Sequence, residues 1–186
     1  WLYWTKSWRS NKKIIVIESD DWGSIRMSNK NDYKKLSDSG YQMNKSPYTL
    51  DALETNDDLT ALFEVLNSVK DIENNPACFT ANMVMSNPNF HKIKENNFKR
   101  YYYEEVRETL ANKVECDNVR NLWNKGMISN MFYPQYHARE HIQYWSWMND
   151  LLNGEKETLE TFNYNICGLP RNVSKNGVSY YIPIYI

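Results

Sequence analysis

No stretch of this sequence approaches the ~18 consecutive apolar residues that a membrane-spanning helix needs, and no transmembrane segment is expected. An excess of one charge is lacking too. The 22 basic and 23 acidic side chains leave a formal net charge of -1. That balance sets up no global field to draw nucleic acid or an anionic membrane, and neither is expected as a partner. Cysteine is scarce, with Cys78, Cys116 and Cys167 far apart and no CxxC pair. An odd, scattered set argues against a disulfide framework, a thiolate zinc site or a dithiol redox centre. All three are expected as buried, reduced thiols. No signal peptide is visible, which together with the unpaired thiols tilts the expected compartment towards the cytoplasm. Repeats and low-complexity tracts are missing as well. The chain opens on Trp1 rather than Met and ends on Ser179-Tyr-Tyr-Ile-Pro-Ile-Tyr-Ile186, a strand candidate with nothing after it. It reads as a fragment, truncated at both ends.

What remains is enough for one domain, residues 1–186, with a real core. Aromatic residues make up 15%, including 14 Tyr and 7 Trp. Most such rings serve packing, although flat rings also suit the C–H faces of sugars. Trp1, Trp4 and Trp8 either share one helical face or anchor an end. Lys12-Lys-Ile-Ile-Val-Ile17 is a short β-branched run of the kind found in buried parallel strands. Residues 24–54 have no clear period and read as loop. Thr55-Asn-Asp-Asp58 has the form of a capping box, followed by Leu59, Leu62, Phe63, Leu66 and Val69 at helical spacing.

A second strand is expected at Pro76-Ala-Cys-Phe-Thr-Ala-Asn-Met-Val84, then a polar excursion over 86–100 and a helix from Tyr102 to Val114. Val119 to Lys125 predicts another helix, with Gly126 as its C′ residue. Met127 to Tyr133 predicts a strand ended by Pro134, and His137 to Leu152 a helix stopped by Gly154. Alternating strands and helices imply an α/β fold with a mostly parallel sheet.

Two features carry chemistry. Asp20-Asp21 follows the first apolar run, and in α/β folds ligands bind beyond the carboxyl ends of the strands. A turn or helix cap would also use these residues. His137-Ala-Arg-Glu-His141 holds two of only three histidines, the third being His91, which is expected on the surface. Four residues apart on a helix, both imidazoles would reach one ion. Imidazole with carboxylate suits zinc and similar metals. Asp21, His137 and His141 would make a three-ligand set, and Asp20 a free carboxylate able to act as base.

These residues, in this order, resemble the polysaccharide deacetylase family of carbohydrate esterases. Ile17-Glu-Ser-Asp-Asp-Trp-Gly23 is similar to its paired-Asp motif, and His137-Ala-Arg-Glu-His141 to its His-(Ser/Thr)-x-x-His motif. Asn75 to Met83 looks like the strand that follows the first motif, and Leu122 to Asn130 like the helix, glycine and strand that lead into the second. The resemblance spans residues 13–152. It implies a distorted (β/α) barrel, incomplete at the C-terminus, with Asp20 as catalytic base and Asp21, His137 and His141 as ligands of a divalent ion, zinc above all. It implies hydrolytic removal of acetyl groups from N-acetylated or O-acetylated sugars of a polysaccharide or glycan.

Departures are visible. Trp22 replaces the usual Gly and Ala138 the usual Ser or Thr. Leu169-Pro-Arg171 matches the third motif poorly, and the later acidic and His motifs, including the general acid, have no counterpart. The chain alone is therefore expected to be weakly active or inactive. Two other readings stand beside this one. His137-x-x-Glu140-His141 is also the signature of inverted zinc peptidases, with Glu140 as base. A non-catalytic glycan-binding relative is the third. A glycosidase is disfavoured, because it needs two carboxylates flanking one bond and those of Asp20 and Asp21 should diverge.

Overall fold

The structure is a computed structural model that describes residues 9–181. The aromatic cluster at Trp1, Trp4 and Trp8 and the last residues of the Val178–Ile186 strand candidate lie outside those residues. Three parallel strands, β1 (Glu18–Trp22), β2 (Phe79–Val84) and β5 (Phe132–Ala138), form a sheet in the order β1-β2-β5. A second, two-stranded antiparallel ribbon pairs β3 (Ser86–Pro88) with β4 (Tyr103–Glu105). Among the described residues the parallel sheet is open, not closed into a barrel.

Alternation along β2 sets the layers, because successive strand residues face opposite sides. Phe79, Ala81 and Met83 join a core with Leu59, Phe63 and Leu66 of α2 (Asn56–Ser68) and with Val119 and Leu122 of α5 (Val119–Ile128). Thr80 and Asn82 face the other way. Trp22 packs edge-on to Phe79 and Phe132, with centroids 5.3 and 5.5 Å away. A second core joins α3 (Phe90–Glu95), α6 (Tyr144–Leu152) and α7 (Lys156–Phe162) around fully buried Trp147. A third packs Leu36 of α1 (Lys30–Asp38) against Ile166, Leu169 and Val173. The capping box of α2 forms as the sequence predicts, with Thr55 and Asp58 exchanging side-chain and backbone hydrogen bonds.

Several expectations are corrected. Residues 12–17 are not a strand, and Ile14, Ile15, Val16 and Ile17 are exposed. The partner strand β2 starts only at Phe79, so pairing begins where the Thr80 N–H donates to the Ile17 carbonyl. The strand is therefore the acidic segment itself. Residues 24–54 are not all loop. They include α1, whose Asn29 cap accepts from the Asp32 N–H, and two short 3-10 turns, Met43–Lys45 and Pro47–Leu50. Their polar composition hid them, since α1 buries only Leu36. The helix expected over Tyr102 to Val114 is split into β4, α4 (Val106–Ala111) and a 3-10 turn. The polar excursion likewise contains β3 and α3.

Gly126 is not a cap but a helical residue of α5. A Cβ there would stand 2.5 Å from Phe63 Cζ and 2.7 Å from Phe132 Cβ, so the glycine allows helix and sheet to touch. Pro134 does not end the strand; it lies inside β5, opposite Ala81. The Phe79 N–H donates to the Met131 carbonyl. In a two-residue ladder this turns Met131, Tyr133 and Gln135 towards β2 and Pro134 outwards, where no donor is needed. Cys78 is exposed, while Cys116 and Cys167 are buried as expected, and all three are free.

Candidate metal centre

The register between β1 and β2 slips by one residue. Ser19 lies opposite Ala81, but Trp22 lies opposite Met83. A bulge of this kind bends the strand and re-aims its side chains. Asp21 takes up the extra length in the left-handed region, with φ 65°, a conformation that Asp tolerates better than most residues. Gly23, with φ 81°, turns the chain away so closely that a Cβ would meet the Val84 carbonyl at 2.8 Å. The effect is to separate the paired aspartates. Asp20 is exposed, on the sheet face away from the helices, and accepts from Asn82 Nδ2 at 2.7 Å. Asp21 is turned to the carboxyl end of the sheet.

His137 sits in the last turn of strand β5, and His141 just after it, next to the isolated bridge between Ile142 and Tyr181. The pair is therefore not on a helix, as the spacing of four suggested; α6 starts only at Tyr144. The rings are brought together by the strand-end turn, nearly parallel at 15° and 5.6 Å between centroids. His91, the third histidine, is on the surface beside Glu95.

Asp21 Oδ1 lies 3.5 Å from His137 Nε2 and 3.9 Å from His141 Nε2. One ligand atom from each of the three residues falls within 4.8 Å of the others. A tetrahedral zinc site with bonds of ~2.0–2.2 Å places ligand atoms about 3.4 Å apart, so a small closing movement would seat an ion. All three of these atoms are buried and have no hydrogen-bond partner among the described residues. Buried polar atoms are nearly always paired, and these three converging atoms form a donor set whose chemistry suits a divalent cation. Burial is the main force that holds the His141 pKa below its ordinary value, with Asp21 opposing it. A neutral imidazole is the form that binds metal.

The centre opens into a cleft of about 1380 Å³. Asp20, Tyr48, Leu50, Arg171 and Tyr181 contribute to its lining, and Tyr48 and Leu50 are exposed there. Comparison with family models, with curated proteins and with solved structures finds no match to this chain. The site has to speak for itself.

Sequence reasoning missed Arg26, a buried cation whose Nη2 donates to Asp21 Oδ2. A basic residue five positions after an aspartate gives no signal by itself, because only the bulge and the turn at Gly23 bring the two together. Asn82 was missed for a similar reason, being just one polar residue in an apolar strand. Glu140, the base that a peptidase would need, is engaged elsewhere. It pairs with Arg139, accepts from Ser86 Oγ at 3.2 Å and is absent from the cleft lining.

Proposed function

We propose that this chain is a metal-dependent deacetylase of the polysaccharide deacetylase type, acting on acetylated sugars of a glycan. The observation that carries the reading is the meeting of three orphaned buried donors, Asp21 Oδ1, His137 Nε2 and His141 Nε2, at the carboxyl end of a parallel sheet. The parallel βαβ succession and the order of the two motifs support an α/β fold of this type, in which the open three-stranded sheet would be one arc of a distorted β/α barrel. A divalent ion on these donors, zinc from their chemistry, would supply Lewis acidity and bring water ionisation towards neutral pH.

The chain's own residues do the rest. Asp20 has one oxygen held by Asn82 Nδ2, which leaves its second oxygen to take the proton as water attacks the acetyl carbonyl. The same oxygen returns that proton to the sugar nitrogen or oxygen as the bond from that atom to the acetyl carbon breaks. His137 and His141 would hold the ion through Nε2, the nitrogens nearest Asp21 Oδ1. The exposed faces of Tyr48 and Leu50 along the cleft suit the apolar face of a sugar ring.

The test is metal content and acetate release from acetylated oligosaccharides, measured side by side. Wild-type protein should bind one divalent ion and release acetate only weakly, since the family's general acid has no counterpart in this chain. Asp20→Asn should keep the ion and lose release by at least the ~100-fold of a removed general base. Metal uptake with acetate release no lower in Asp20→Asn than in the wild type would favour a glycan-binding relative, and no uptake at all would overturn the reading.

A further inference from the structure

Among the described residues Arg26 is the only Lys or Arg within 4 Å of Asp21. It is buried, beside two tyrosine rings and a second carboxylate. Its guanidinium carbon stands 5.0 Å from the Tyr48 ring centroid and 4.6 Å from that of Tyr181. Its Nε lies 3.7 Å from Asp51 Oδ2. Asp51 in turn is tied to the same turn, its carbonyl accepting from the Met27 N–H at 2.7 Å. Two rings and a carboxylate around the guanidinium restrict its orientation, and in the orientation observed Nη2 donates to Asp21 Oδ2. The other oxygen, Oδ1, is left unpaired towards the histidines. An unrestrained carboxylate has a broad torsion about its last bond and can swing, or offer both oxygens to an ion.

We propose that Arg26 is the positioning residue of this centre: it occupies Oδ2, so that Asp21 serves as a one-oxygen ligand and the remaining coordination position stays open to water. This rests on the metal-centre reading above. It also explains the choice of arginine, since a planar fork fixes direction where a lysine supplies only charge. The positive charge by itself acts in the opposite sense, because it repels a divalent ion. Affinity therefore separates positioning from charge.

The experiment compares wild type, Arg26→Gln and Arg26→Lys for zinc affinity by chelator competition, for the visible spectrum of the cobalt(II)-substituted protein, and for melting without metal. Partners that orient metal ligands typically carry 10–100-fold in affinity, and Arg26→Gln should lose that much and alter the cobalt spectrum. Arg26→Lys keeps the charge and should recover only part of the affinity, which preserves the comparison where Gln melts. In an Asp21→Asn background Arg26→Gln should have little further effect. Zinc bound as tightly or more tightly by Arg26→Gln, with an unchanged cobalt spectrum, overturns the proposal alone. A wild type that takes up no zinc overturns the metal-centre reading and this proposal with it.

Discussion

Replacing His141 by Ala separates a ligand from an ordinary core residue, because the two roles predict different energetics. His141 is buried and both its ring nitrogens lack partners. Without metal, truncation removes packing, which costs ~2–5 kcal/mol for a large apolar side chain and less for this polar ring. It also removes buried unsatisfied groups, each of which costs about 1–3 kcal/mol while present. The two nearly offset, and the metal-free variant should lose only ~0–2 kcal/mol. With free zinc at 100 times its dissociation constant, the wild type gains about 2.7 kcal/mol. In a chain of 186 residues, at ~2–4 °C per kcal/mol, that is a rise in melting temperature of roughly 5–11 °C. The variant should show almost none of it. The assay is a thermal melt with chelator and with zinc, on both proteins. An equal zinc shift in both, or a large loss by His141→Ala in chelator with no zinc shift in the wild type, would refute the argument and leave His141 a structural histidine.

Gly126→Ala sets a helix gain of ~1 kcal/mol against overpacking of ~1–3 kcal/mol. One clash is with Phe132 Cβ, at 2.7 Å, which cannot move without its strand. A lower urea midpoint, worth up to ~2 kcal/mol, is the expected result. Burial pushes the Glu54 carboxyl up to about 7, against hydrogen bonds from the Glu54 and Gly23 backbone that pull it down. Its native pKa lies above its unfolded one, so the native state holds the extra proton between them. Its contribution is fully present below pH ~4.5 and is lost as pH rises through about 7. Glu54→Gln should therefore be close to wild type in stability at pH 4 and more stable at pH 8, by on the order of 3 kcal/mol. Melts across that range check the crossover.

Much of the site was legible in the sequence, but part of the reasoning was not. Asp20-Asp21 and the His137/His141 pair stand out by residue type, and both lie at strand ends in one sheet. The helix invoked to bring the histidines together does not exist; a strand-end turn does the same work, and spacing alone cannot tell the two apart. By hydrophobicity alone the apolar run at 12–17 outweighs Glu18–Trp22 as a strand. Pairing with β2 decides the matter instead, and β2 begins too late to reach the apolar run. Arg26 and Asn82 were invisible because their partners are fixed by a bulge and by a register, which belong to the assembled sheet. The α2 capping box was legible because its bonds are local.

Pro134 has a consequence for the company this sheet can keep. Among the described residues β5 is an edge strand, and its outer rim is where another extended chain would add itself, since an open rim invites fibril-like stacking. At Pro134 that rim offers no N–H, so an incoming strand meets a missing rung in the middle of a seven-residue strand. A strand that joins there must bond on either side of the gap, which a sequence suited to this edge can accommodate and an indiscriminate one cannot. The same residue that is tolerated because it faces outwards thus acts as a selective guard on the sheet's growth.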